Sequence, residues 1–338
     1  MSTLWSAFDW DRLRAKSETG ALALLMNVDH IDAPAFEVAP GVTMRRATEV
    51  EAKEFRTCVE FMLGLSLTPN RRNPYETKSE VAPTDGGWTY LHWPIEGPSQ
   101  RYHVVEVAGG TNHAAHQMAM AGSLSGRDLE VAVHATWGPM VGQGAGVSGT
   151  FGSFLETADD DSEFVSFDQA DLSELSDLYA KLDSLHRSGG ALNLSLMSYR
   201  KVRFIPRGLH LRMVGHMAIL ESLITHQSSP DDIEDSLTRQ VTRKMVLLNS
   251  RFKHPLEYSE CGGATEETIW KKLYDIRSLI VHGVLPDFSK SQLRFLGNLE
   301  IVGRQVQAAT ARVMRYALEE PAHMAEVRAC RADQVPTP

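Results

Sequence analysis

The sequence predicts an α+β protein, with a mixed, strand-containing first half followed by an all-α helical bundle. Three observations lead there. Pro and Gly punctuate the first half and enclose short β-prone runs. From about residue 168 onward, apolar residues instead recur at spacings of three and four. The 338 residues are enough for about two domains, and 43% apolar with 23% charged residues is the balance of a chain that buries a core. The expected division is a mixed α/β domain over 1–165, a bundle over 166–320 and a tail over 321–338.

In the first half, Thr48 with Glu51 forms a capping box that starts a helix over about 49–64. Pro69, Pro74, Pro83, Gly86, Gly87, Pro94, Gly97 and Pro98 then break the chain into short pieces. The runs 88–93, 102–107 and 129–134 are rich in β-branched and aromatic residues and read as strands, with a short helix over 111–121. Six glycines between Gly138 and Gly152 follow a strand but lack the Gly-Lys-Ser/Thr ending of a phosphate loop, so a β-turn region is expected. Asp159–Asp161 reads as a solvated loop.

In the second half, Leu172, Leu175, Leu178, Leu182 and Leu185 define a helix over 171–186, and Gly189-Gly190 separates it from an apolar stretch holding Leu192, Leu194, Leu196 and Met197. After Pro206 and Gly208, a helix carries Leu209, Met213, Met217, Leu220 and Ile224 on one stripe. Ser229-Pro230-Asp231-Asp232 reads as a cap, an N1 proline and early acids for a helix bearing Ile233, Leu237, Val241, Met245 and Leu248. A loop with Pro255 and Gly262-Gly263 leads to a helix over 265–285, stopped by Pro286. The last helix is expected over about 290–318, with Leu296, Leu299, Val302, Val306, Ala309 and Val313 inward. Short connections between amphipathic helices indicate a bundle.

The formal net charge is −9, yet residues 187–320 carry +5 and the remainder −14. A basic segment in an acidic chain points to an anionic partner or to a fortuitous imbalance. The three widely spaced cysteines suit neither a disulfide framework nor a zinc knuckle. That cysteine usage makes a reducing cytoplasm the expected setting. With no apolar run of about 18 residues and an early acidic Asp9 and Asp11, neither a membrane span nor a secretory leader is expected.

The helix over 265–285 carries the functional signal. At about 100° per residue, Ile269, Leu273, Ile276, Ile280 and Val284 form the core stripe. Tyr274, Asp275, Ser278 and His282 fall on the opposite side, and Arg277 lies on the shoulder near Trp270 and Val281. A carboxylate, a hydroxyl and an imidazole thus share one face with a guanidinium close by. Apolar neighbours on a face turned from the core imply that a second surface covers it.

The decamer Tyr274-Asp275-Ile276-Arg277-Ser278-Leu279-Ile280-Val281-His282-Gly283 resembles the signature helix of HEPN domains, in particular the Apea-like group of bacterial proteins. That signature is Arg, a polar residue, three more residues and His, often followed by Gly. Ala218–Ile224 resembles the family's first core helix, and Leu237–Val241 sits where its second would be, so the likeness covers roughly 190–318. It implies a four- or five-helix domain that dimerises and, in active members, cleaves RNA without a metal or other cofactor. Such a protein would serve as the toxic effector of a phage-defence or stress system, its first half sensing a regulatory ligand or protein. RNA brings its own nucleophile, the 2′-hydroxyl. His282 suits either proton transfer, and Arg277 suits the charge that develops on the phosphate. Ser278 would orient His282 or bind phosphate. A two-fold dimer would join two such sets. A non-catalytic module that binds RNA or nucleotide, or scaffolds a complex, is the other reading.

Further candidates are supporting ones. Asp275 is a site acid or a solvated partner of Lys271 and Lys272, and Tyr274 would support the site. Arg212, with His216 and Glu221 on the first bundle helix, would border the groove or give buried support. Arg239 and Arg243 would contact RNA phosphates or form an exposed stripe. His113 and His116 have a spacing seen in metal sites, which Glu106 or His134 would complete; no metal is expected.

Overall fold

The computed structural model describes residues 4–65, 73–84, 87–94, 101–127, 129–157, 164–188, 191–205, 210–227 and 232–335. Asp159–Asp161, the glycine pair at 189–190, Pro206 with Gly208 and the expected helix start at 229–231 lie outside them. The chain divides into two compact units, Met1–Asp183 and Ser184–Pro338.

The first unit runs α1 (Trp10–Lys16), β1 (Gly20–Leu25), β2 (Val28–Ile31), β3 (Ala35–Ala39), β4 (Val42–Arg46), α2 (Glu49–Leu65), β5 (Thr77–Thr84), β6 (Gly87–Pro94), β7 (His103–Ala108), α3 (Asn112–Leu124), β8 (Val131–Gly138), β9 (Gly142–Val147), α4 (Phe151–Thr157), β10 (Val165–Phe167) and α5 (Gln169–Ser188). Six strands form one antiparallel sheet in the order β3-β4-β7-β1-β8-β9. Strands β5 and β6 pair as a separate hairpin, and β10 runs parallel to β2. On one face Leu22, Leu24, Val104, Val133 and Trp137 pack with Phe8, Leu13, Phe55, Val59 and Phe151, which α1, α2, α4 and the chain before α1 supply. On the other, His134 stands between Val133 and Ala135 and meets Asn112 and His116 of α3. Gly20 is required by close approach, since a Cβ there would lie 2.4 Å from Trp137.

The capping box forms as expected: Glu51 N–H donates to Thr48 Oγ1 at 3.3 Å, and Thr48 N–H to Glu51 Oε2 at 2.9 Å. Two expectations need correction. The glycine-rich stretch is not merely a turn region, because Gly142–Val147 pairs with β8 as edge strand β9 and α4 follows it. The division at 165/166 moves to 183/184, near the end of α5, because most of that helix is tied to the sheet unit. Ser176 Oγ donates to the Val38 carbonyl, Gln117 Nε2 to that of Tyr179, and Arg127 pairs with Asp171.

The second unit holds α6 (Ala191–Arg203), α7 (His210–Ile224), α8 (Leu237–Asn249), α9 (Glu266–Val281), α10 (Leu299–Glu319) and α11 (Pro321–Ala329). Helix α7 packs against each of the other five. Accordingly it buries a broad face, with Met213, His216, Met217, Ile219, Leu220 and Leu223, and leaves Leu211, Ala218 and Ser222 exposed on the narrower opposite side. Helix α8 begins at Leu237, later than expected. Asp232 instead caps a 3-10 turn over Ile233–Asp235, which leaves Ile233 exposed. In α6, Leu196 is buried while Leu194 and Met197 face solvent. Helix α10 begins at Leu299 with Asn298 as its cap, while Leu296 is buried in the 3-10 turn before it.

The expected tail is structured. Helix α11 buries Met324 and Val327, and the following turn buries Ala332. Fully buried Lys244 donates to the Ile224 and Arg328 carbonyls, both at 3.0 Å, and so closes the C-terminal ends of α7 and α11 together. Burial pushes its amine down to about 8. Asp235 accepts the Ala332 N–H at 2.8 Å.

Candidate functional site on helix α9

Helix α9 starts at the Thr265 cap, whose side chain accepts the Thr268 N–H, with Glu266 and Glu267 in the first turn, where the helix dipole favours acids. Ile269, Leu273, Ile276 and Ile280 are buried, as the stripe predicts, but Val284, expected on the same stripe, lies beyond the helix end and is exposed. Trp270 departs from expectation. It belongs to no face left open for a second copy: it is fully buried, and its indole donates to the Tyr258 hydroxyl at 2.9 Å.

The helix also ends earlier than its sequence suggests. Val284 N–H donates to the Leu279 carbonyl at 2.9 Å and Gly283 N–H to that of Ile280 at 3.0 Å, with Gly283 at φ +74°. These two bonds and the left-handed residue make a Schellman cap, which stops the helix before Pro286 is reached. His282 therefore stands as the last capping residue, at the open end of α9. Its N–H is held by the Ser278 and Leu279 carbonyls, both at 3.1 Å. Its ring is exposed and makes no hydrogen bond among the described residues. The glycine after the histidine thus has a physical role, because a side chain at that backbone geometry would be strained.

His282 borders an open groove of about 460 Å³, together with Asp275, Ser278, Lys272, Leu279, Leu285 and Lys290. The Ser278 hydroxyl has no hydrogen bond among the described residues; the bond between Ser278 and His282 is a backbone one, so the hydroxyl does not orient the ring. Asp275 is paired with Lys272 at 2.8 Å, the solvated pairing that its sequence position allowed.

Arg277 does not line this groove. Its Nη2 donates to Glu221 Oε2 at 3.3 Å, and its Nε faces Glu221 Oε1 at 3.3 Å. Its guanidinium carbon lies 5.7 Å from the centroid of the Tyr274 ring, within cation–π range. The Tyr274 hydroxyl interacts with the same Glu221 carboxylate. Burial raises the Glu221 carboxyl above its usual range although Arg277 opposes the shift, and burial with the Glu221 charge raises the Tyr274 phenol. Nη1 has no partner among the described residues, so one edge of the guanidinium is free. The structure therefore brings Asp275, Ser278 and His282 to one groove, and Arg277 and Tyr274 to a second cluster organised by Glu221 of α7. Glu221 was visible as a residue of the first bundle helix, but nothing in its spacing pointed across to α9.

The remaining candidates have structural partners. Arg212 is buried and donates to the Ile205 carbonyl at 3.3 Å, beyond the end of α6. Arg243 donates to the Ala332 carbonyl at 3.0 Å, and Arg239 pairs with Glu234. In the first unit Glu106 is bound by Arg45 and Lys16, away from any histidine set. Among the described residues no group of three His, Cys, Asp or Glu could hold a metal ion. No described helix is long and apolar enough to cross a membrane. Comparison of the chain with protein-family models, curated proteins and solved structures gives no match.

Proposed function

We propose that α9 carries a metal-independent endoribonuclease site of the HEPN type, completed by a second copy of the chain and acting in defence or stress. The supporting observation is the state of His282. Its backbone is fixed at the helix end, and its imidazole is exposed, makes no hydrogen bond among the described residues and borders an open groove beside the Ser278 hydroxyl, which likewise makes none. Such a group can take the proton of a ribose 2′-hydroxyl or protonate the leaving 5′-oxygen. The free edge of Arg277, on the neighbouring side of the same helix, suits paired hydrogen bonds to phosphate oxygens. One chain does not bring Arg277 into the His282 groove, so the reading needs two copies. A non-catalytic RNA- or nucleotide-binding module is the second reading, and the Glu221 carboxylate favours it by offsetting the Arg277 charge.

The test is cleavage of labelled single-stranded RNA in excess chelator, with a 2′,3′-cyclic phosphate product and no cleavage when deoxyribose stands at the cut site. His282→Ala is expected to lower the single-turnover rate by about 10²–10⁴-fold. Arg277→Ala is expected to cost roughly 3–4 kcal/mol of transition-state stabilisation, as the loss of an oxyanion donor does. Parental rates in both variants would leave the binding module as the reading.

A further inference from the structure

The strongest arrangement of groups outside the groove is the one around Arg277. Three side chains from two helices converge: Glu221 from α7, and Tyr274 and Arg277 from α9. Glu221 engages only the Nε–Nη2 side of the guanidinium. Both Arg277 Nε and Glu221 Oε1 are buried without a hydrogen bond of their own, and they face each other at 3.3 Å. The Tyr274 ring centroid lies 5.7 Å from the guanidinium carbon. What is left is the Nη1 side, with no partner among the described residues.

We infer that Glu221 is a positioning residue: it holds the guanidinium of Arg277 from behind so that the Nη1 side is presented to a phosphate oxygen of the RNA. This rests on the reading of α9 as a ribonuclease site. The physical argument is one of shape and charge. An arginine side chain has several rotatable bonds, and fixing one loses rotamer entropy. An acid on the rear edge fixes it before substrate arrives, so less is lost when the phosphate binds. An autoinhibitory lock would instead occupy the outward edge that phosphate needs, and here that edge is open. The carboxylate also offsets part of the guanidinium's pull on any unreacted phosphate. Its removal should therefore leave ground-state RNA binding equal or tighter while the reaction slows, because the guanidinium then samples orientations that miss the developing charge.

The experiment compares full-length parent, Glu221→Gln, Glu221→Asp and Arg277→Ala on a labelled single-stranded RNA of mixed sequence, with kcat and KM measured separately and thermal unfolding alongside. Glu221→Gln keeps the shape and removes the charge; it should lower kcat by about 10²-fold, the scale of a misplaced catalytic group, with KM unchanged or lower. Glu221→Asp should recover part of that loss. An increase in kcat on Glu221→Gln would show a lock and overturn the proposal. So would parental kcat in Glu221→Gln while Arg277→Ala is impaired, an outcome that leaves the ribonuclease reading standing. If the parent does not cleave RNA, that reading fails, and a second readout still decides the positioning. In protein labelled with ¹⁵N-arginine, the Arg277 Nε–H signal, assigned by its absence in Arg277→Lys, should exchange slowly in the parent and quickly in Glu221→Gln. Equal exchange in the two would overturn the proposal, and loss of protection in Glu221→Gln would uphold it.

Discussion

Each unit of the molecule sets an arginine against a helical glutamate, and the two pairs differ in how completely they are closed. In the first unit Arg45 of β4 donates to both oxygens of Glu51 of α2, at 2.7 and 2.9 Å, and its Nε donates to Glu106 at 2.9 Å. Lys16 and Arg12 approach the same Glu51, which has no exposed surface, and Arg12 also binds Glu54. Burial alone would raise the Glu51 carboxyl. Hydrogen bonds from Arg45 and the Thr48 N–H, with the charges of Arg45 and Lys16, outweigh it and hold the group well below the usual carboxylate range. In the second unit the single pair Arg277–Glu221 is longer, leaves a guanidinium edge free and lets burial win, so the Glu221 carboxyl rises instead. A pair in which every polar atom is spoken for joins elements of the fold, here α1, β4, β7 and α2. A pair left open on one side leaves a charged edge unused by the fold, the edge that the proposed site would use.

Breaking the closed network should have the largest effect on stability. Glu51→Ala leaves Arg45 without its bidentate partner and removes half of the capping box, so a loss of about 3–5 kcal/mol is expected, as for a buried ion pair stripped of one member. Hydrogen exchange of the β1 amides, read by mass spectrometry, places that loss in the first unit. A change below about 1 kcal/mol would show that the network contributes little to the fold.

Two histidines extend the comparison. His103 opens β7 and is almost fully buried, whereas His282 is exposed. Burial lowers the His103 imidazole from 6.5 to about 4, against backbone carbonyl contacts that raise it. Between those two values the unfolded chain carries a proton that the folded chain does not, so acid favours unfolding. The stability that follows is complete above about pH 6.5 and falls as the pH drops toward about 4, by roughly 3 kcal/mol at most. Urea unfolding at several pH values across that window should show the slope, and His103→Gln should flatten it. An unchanged slope would assign the acid sensitivity to carboxylates.

How much of this was legible in the sequence depended on whether local pattern and tertiary setting agreed. The α2 capping box, strands β7 and β8 and the α9 core stripe were readable because each advertises its burial through alternation, spacing or a cap. Strand β1 was not: Gly20-Ala21-Leu22-Ala23-Leu24-Leu25 is buried on both sides, so it shows no alternation, and its Ala and Leu are helix formers. Strand β9 is glycine-rich, with the His134 ring lying where a Cβ of Gly146 would stand and Gly142 at a positive φ, and that composition reads as a turn. Trp270 was misplaced because the wheel gave its angle, while its indole finds Tyr258 from another segment. Of the site, the residues of α9 were legible as one face. The split of that face into a groove and an arginine cluster was not, since it is Glu221, more than fifty positions away in the chain, that draws Arg277 aside.

The smallest expected effect is the most discriminating, because it asks whether the open pair contributes to folding at all. Arg277 and Glu221 are both partly exposed, at 26% and 16% of the side chain, and their contacts are long. Solvent screens such a pair, and exposed ion pairs measured by double-mutant cycles give about 0.2–1 kcal/mol. A cycle of Arg277→Ala, Glu221→Gln and the double variant, read by unfolding free energy, should return a coupling in that range. It should shrink as salt rises, since charges open to solvent are screened over about a Debye length. The corresponding cycle with Arg45→Ala and Glu51→Gln should give a larger coupling that salt hardly changes, because its charges are shielded from the ions. Arg277 and Glu221 can be near-silent in stability and still decisive in rate, since orientation of a charged group toward a reacting phosphate is not counted in an unfolding experiment. A coupling as large and as salt-insensitive as that of Arg45 with Glu51 would place both pairs in one structural class, and the contrast between a closed network and an open one would no longer separate fold from site.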